Sequence, residues 1–180
     1  KNQAWYPGET LITGIGQGYL QVTPLQLAKA TATLANKGQV ITPFLVDKIV
    51  NSKGTRAGLN LGGNSIALNP INVNTVIDGM INVVHGAHGT AKGINKNISY
   101  QIAGKTGTAQ VMGIKQGAKY NENNIDFKFR DHALFISFAP ANDPKIAVAV
   151  VVENGGHGGS VAAPIAGQVI KQFLQDSDEN

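Results

Sequence analysis

Residues 132 to 152 read HALFISFAPANDPKIAVAVVV, and no other run constrains the fold as much. Two segments of strand length, about 132–139 and 145–153, flank PANDPK, which has the composition of a tight turn. Neither segment alternates apolar with polar. Leu134, Ile136 and Phe138 oppose Ala133, Phe135 and Ala139, so both faces are apolar. Such strands must be covered on both sides, which calls for helices above and below the sheet. A third strand candidate, about 100–111, precedes them. The class is therefore α/β (α+β), an antiparallel sheet with helices on both faces.

The covering helices are legible. Thr23 is a good N-cap, Pro24 suits the first helical position, and Gln26 completes a Thr-x-x-Gln capping box. Leu27, Thr31 and Leu34 share one face with Ala28, Ala32 and Ala35 beside it, and Lys37 with Gly38 ends the helix. A second helix follows Asn69 and Pro70, with Val73, Val76, Ile77, Met80, Ile81 and Val84 forming one stripe. A last helix spans about Val161–Leu174, with Ala162, Ile165, Ala166, Val169, Ile170 and Phe173 as its buried face. Residues 1–22 read as a loop with short extended pieces, 39–50 as an extended segment, and 51–65 as a surface loop. No internal repeat or domain boundary is visible. Residues 1–176 read as one unit, and 177–180 as a disordered tail.

Composition narrows the function. Hydrophobic residues make up 42% and charged residues 14%, a globular balance. The net charge of +4 is scattered, which argues against nucleic acid and suits carboxylate ligands as well as an acidic polymer. There is no cysteine, which removes disulfides, thiolate metal sites and cysteine nucleophiles. No apolar run reaches the roughly 18 residues of a membrane span. The first residue is Lys1, and the chain reads as a piece of something longer.

The stretch IAGKTGTAQV, 102–111, carries the chemistry. Gly-Lys-Thr can close a phosphate-binding loop, but that loop needs a glycine where Ser99 stands, and a helix after the lysine. TGTAQV is a poor helix start and a plausible strand. The other reading is the Lys-Thr-Gly motif of serine acyl-transferases that bind β-lactams. There a lysine ammonium and threonine hydroxyls hold a carboxylate, and a glycine lets substrate approach the strand backbone.

The surroundings of the motif extend the match. GIGQGYLQVTPLQLAKATATLANKG and HGTA precede it, and RDHALFISFAP and VVVENGG follow it. In this order they resemble the C-terminal half of the transpeptidase domain of class B penicillin-binding proteins of the cell-elongation type. The resemblance runs from about Trp5 to Leu174. It implies a β-lactamase/transpeptidase-like fold and a peptidoglycan D,D-transpeptidase. A serine would attack the terminal D-Ala-D-Ala of a stem peptide, and an amine would take the acyl group. By motif match, Lys105, Thr106, Gly107 and Thr108 are the catalytic-site residues. Lys105, Thr106 and Thr108 would bind the substrate carboxylate, and Thr108 N–H would be an oxyanion donor. The loop carrying His157 would border the cleft, which makes His157 a further candidate for substrate contact.

The resemblance also implies β-lactam binding; no cofactor is expected, and the residues themselves suggest no metal site. It implies a glycan polymerase and scaffold proteins of the elongation machinery as partners, at the periplasmic side of the bacterial inner membrane. The nucleophile is missing: none of Ser52, Ser65, Ser99, Ser137, Ser160 and Ser177 begins Ser-x-x-Lys or Ser-x-Asn. Those motifs are expected N-terminal to Lys1 in a parent, and without them the isolated chain is expected to be inactive. Two rivals share the fold: a ligand-sensing or scaffolding module without the serine, and a β-lactamase or penicillin-sensor relative. The missing half would leave a sheet edge open, so the chain is expected to self-associate.

The remaining features read blandly. His85 and His88, at i and i+3, read as a solvated helix end and not a chelate. His132 orients a strand start, and Arg130 with Asp131 reads as a surface ion pair. ENGGHGGS reads as a flexible loop feeding the last helix, and GIGQG as backbone packing ahead of Thr23.

Overall fold

The structure is a computed structural model and describes residues 4–46, 48–50, 56–58, 63–113 and 125–178. Its elements are α1 (Pro7–Gly14), α2 (Pro24–Ala35), β1 (Lys48–Val50), β2 (Arg56–Gly58), α3 (Pro70–His85), β3 (Ala103–Ala109), β4 (His132–Ala139), β5 (Ile146–Val152) and α4 (Ala162–Asp178). Short 3-10 turns lie at Lys92–Ile94 and Phe127–Phe129.

β3, β4 and β5 form an antiparallel sheet in that order, with Thr106 opposite Phe135 and Phe135 opposite Val150. Both faces are covered, as the apolar pattern requires. On one side Ala133, Phe135 and Ala139 pack with Ala162, Ala163, Ala166 and Ile170 of α4. On the other, Phe138 and Ala103 pack with Ala35 of α2 and with Val73, Ile77 and Met80 of α3. Phe135 and Phe138 are fully buried on opposite faces, each worth roughly 1.5–3 kcal/mol of burial. The Phe135 ring lies where a side chain on Gly104 would be, with Cε2 at 3.1 Å from that Cβ position. Glycine at 104 is thus a packing requirement.

The caps explain where α2 and α3 begin. Gln26 N donates to Thr23 Oγ1 at 3.2 Å, and Thr23 N donates to Gln26 Oε1 at 2.7 Å, the reciprocal box expected. Asn69 Oδ1 accepts from Ile71 N and Asn72 N. At the end of α2, Lys37 and Gly38 both take positive φ, 53° and 104°, and Gly38 N closes on Thr33 O at 2.8 Å. Thr31 and Thr33 are buried in α2. Their hydroxyls bond back to Leu27 O and Lys29 O at 2.7 and 2.8 Å, which satisfies them inside the helix.

Several expectations are corrected. Residues 7–14 are helical, not loop: Pro7 stands at the first turn and Tyr6 N donates to Glu9 Oε2 at 2.7 Å. Part of the loop expected at 51–65 is β2, paired with β1. β3 stops at Ala109, two residues short of Val111. Val76 is 49% exposed and lies outside the buried stripe of α3. α4 continues to Asp178, and its buried stripe is narrower than expected: Ile165, Val169 and Phe173 are 42–45% exposed. The fully buried residues of α4 against the sheet are Ala162, Ala163, Ala166 and Ile170, with Leu174 partly buried beside them.

Candidate active site

β3 is an edge strand among the described residues. In an antiparallel pair, alternate residues turn their N–H and C=O groups toward the partner, and the ones between turn away. Thr106 O accepts from Lys105 Nζ at 2.6 Å, and Thr108 O accepts from Gln17 Nε2 at 3.1 Å. These two carbonyls, one period apart, mark the outer edge of β3.

Strand alternation puts Lys105 on the opposite face from Thr106 and Thr108. Lys105 is exposed, and its long side chain turns to the outer edge, where Nζ donates to Thr106 O. It makes no ion pair among the described residues. A lysine with only a carbonyl for company can meet an anion without first breaking a salt bridge.

Three loops close on this strand. Thr90, in the segment after α3, has its Oγ1 3.0 Å from Thr106 Oγ1. The loop before α4 lies over β3 and β4. Gly158 sits against the peptide of Gly107 and the carbonyl of Leu134, and Gly159 against the carbonyl of Thr90. Gly156 N donates to Asp131 O at 2.8 Å, and Val161 N to His157 O at 3.1 Å. The loop expected to be flexible is therefore tightly seated. His157 itself is exposed beside Gly158. The third loop is GIGQG: Gly16 and Gly18 take φ of 79° and 75°, and the turn they make aims Gln17 at Thr108 O.

Of Lys105, Thr106, Gly107, Thr108 and His157, the first four are consecutive on edge strand β3, and His157 is exposed in the loop whose Gly158 lies against Gly107. The motif itself names neither Gln17, whose side chain reaches Thr108 O, nor Thr90, whose hydroxyl meets Thr106 Oγ1. The paired glycines around Gln17 were the available signal, since alternating positive φ projects the residue between them.

The histidines also change. His85 is no solvated helix end: its Nε2 accepts from Ile102 N at 3.0 Å, and burial lowers its pKa. That bond joins the end of α3 to the entry of β3. His132 Nδ1 accepts from Asn154 N at 2.9 Å, tying the start of β4 to the end of β5, as its expected orienting role requires. Asp131, expected on the surface, is buried at 5% exposure. No group of three or more metal-ligating side chains occurs among the described residues.

Thr106 lies within a strand and opens no helix, which overturns the phosphate-loop alternative. Residues 1–171 match the family model described as the penicillin binding protein transpeptidase domain. The chain belongs to the penicillin-binding protein transpeptidase family. Among transpeptidases of this family, the chain is 41% identical over 176 residues to peptidoglycan D,D-transpeptidase MrdA of Haemophilus influenzae, covering 94% of itself and 26% of that protein. It superposes on penicillin-binding protein 2 of Pseudomonas aeruginosa with a TM-score of 0.78 at 50% identity, covering 96% of itself and 34% of that chain. It also matches the Helicobacter pylori penicillin-binding protein 2 in a complex with MreC, with a TM-score of 0.68 at 28% identity, covering 99% of itself and 29% of that chain. The fold is thus that of the β-lactamase-like transpeptidase domains. The chain spans about a quarter of the length of the curated relative.

Proposed function

We propose that this chain supplies the Lys105–Thr108 wall of a peptidoglycan D,D-transpeptidase of the cell-elongation type. The observation that carries the proposal is the Lys-Thr-Gly-Thr run on an edge strand, whose lysine reaches the outer edge and makes no ion pair among the described residues. An edge strand is a template for an extended peptide, whose main chain supplies the next set of hydrogen bonds. Lys105 and the hydroxyls of Thr106 and Thr108 hold the terminal carboxylate of D-Ala-D-Ala. Gly107 adds no side chain on the Lys105 face of the strand, Thr108 N–H faces the developing oxyanion, and His157 stands at the rim. β-Lactams bind the same edge.

The serine nucleophile comes from sequence outside these 180 residues, in a protein acting at the periplasmic side of the inner membrane. Its macromolecular partners are a glycan polymerase and a scaffold protein. The complex with MreC in the Helicobacter pylori relative supports the scaffold.

The test is acylation by a labelled penicillin. The full-length protein becomes labelled, and the isolated chain does not. Lys105→Ala slows labelling by about 100-fold or more, the scale for removing one preorganised electrostatic group, while the fold persists because the side chain is exposed. A full-length protein that stays unlabelled sinks the proposal, as does a Lys105→Ala variant labelled at the normal rate. An adduct on any serine of the isolated chain would show that the nucleophile lies within it.

A further inference from the structure

We propose that Gln17 is an internal competitor at the ligand edge: its carboxamide holds the outward carbonyl of Thr108 that an extended ligand's amide N–H needs. The inference rests on the transpeptidase reading of β3. Thr106 O and Thr108 O are the two outward acceptors identified on this edge, and both are taken by side chains, Lys105 Nζ at 2.6 Å and Gln17 Nε2 at 3.1 Å. A peptide or acylamino ligand lying along the strand would donate to such a carbonyl. At Thr108 it must first displace Gln17.

The geometry of the loop fits a side chain held in place and able to leave. Gln17 is anchored through its backbone, with its N–H on Ile12 O at 3.1 Å and Gly16 N on Thr13 O at 2.9 Å. Gly16 and Gly18 both have positive φ, so the turn presents Gln17 without using its side chain. A Cβ on Gly18 would stand 2.9 Å from Ile12 Cγ2, which seats the turn on α1. The contact to Thr108 spans 91 positions of sequence and is the tie from this turn to β3. When the carboxamide leaves, the turn keeps its own bonds.

This arrangement makes Gln17 a specificity-determining residue. A ligand that donates an amide N–H to Thr108 O competes with Gln17. A ligand without that donor leaves the contact in place and loses nothing. An unoccupied outer carbonyl would otherwise be solvated or recruit another strand, so the contact also protects the edge between turnovers.

The experiment uses the full-length protein and two acylating agents: benzylpenicillin, which carries an acylamino N–H, and a carbapenem, which carries a hydroxyethyl group there. Gln17→Leu keeps the bulk and removes the donor. Gln17→Asn keeps the donor but shortens its reach. Both should accelerate benzylpenicillin acylation about fivefold, the worth of one neutral hydrogen bond, and leave the carbapenem rate within about twofold. The ratio of the two rates is the readout, because a merely structural role would move both together. An unchanged ratio in an enzyme that acylates normally, or a parallel fall for both agents, overturns the inference and leaves the transpeptidase reading standing. If the parent protein reacts with neither agent, that reading falls and this inference with it.

Discussion

A Cβ on Gly158 would stand 2.5 Å from the carbonyl oxygen of Gly107 and 3.1 Å from its nitrogen. The loop before α4 thus rests on the peptide of the motif glycine, and position 158 has no room for a side chain. Neither glycine has a positive φ, so the requirement is one of space and not of backbone conformation.

Gly158→Ala should therefore push the loop off the sheet. The expected cost is about 1–3 kcal/mol, the range for overpacking a filled site, read as a lower urea midpoint at unchanged slope. Acylation of the full-length protein should fall with it, since the displaced peptide is that of Gly107. A variant as stable as the parent would show that the loop can lift without strain.

His85 gives a pH dependence. Its Nε2 accepts the Ile102 N–H, so the folded state needs the neutral ring, and burial lowers its pKa below the ordinary 6.5. The unfolded chain then binds the proton first. The contribution of His85 is fully present above about pH 6.5 and is lost as the pH falls through the lower folded value. His85→Gln retains an acceptor without the titration. Its stability should be flatter than that of the parent between neutral pH and about pH 5, as followed by denaturation at stepped pH. Parallel curves would count against the assignment.

Thr23→Ala removes one half of the reciprocal cap at the start of α2. A loss of about 1 kcal/mol is expected. Thr23→Ser should recover most of it, which a comparison of denaturation midpoints resolves.

The isolated chain should self-associate. β5 has a strand partner on one side only among the described residues, and Trp5, Tyr19, Leu25, Phe44 and Leu45 are more than half exposed. An open edge and apolar surface of this kind favour pairing with another copy. Sedimentation velocity should find species larger than a monomer as concentration rises. A monomer that persists and unfolds cooperatively would mean that this surface is inert.

The amino-acid sequence by itself determined the class, the three-stranded sheet and three of its helices. The signals there are local. Apolar runs without a polar face demand cover on both sides, and the caps at Thr23 and Asn69 are written within three residues of their targets. The same local chemistry could have exposed α1, where Pro7 and Glu9 carry a start signal that turn-rich neighbours obscure. The motif Lys105–Thr108 was legible because its order among other motifs is specific. Tertiary structure alone decided which acceptors of β3 face outward, that Gln17 reaches Thr108 across 91 positions, that Gly158 lies on Gly107, and that His85 closes on Ile102. It also decided that Ile165, Val169 and Phe173 stay 42–45% exposed, although their spacing matches that of their buried neighbours. Helical period fixes which side chains share a face. How far around the helix the cover extends depends on the width of what it packs against, and no local pattern encodes that.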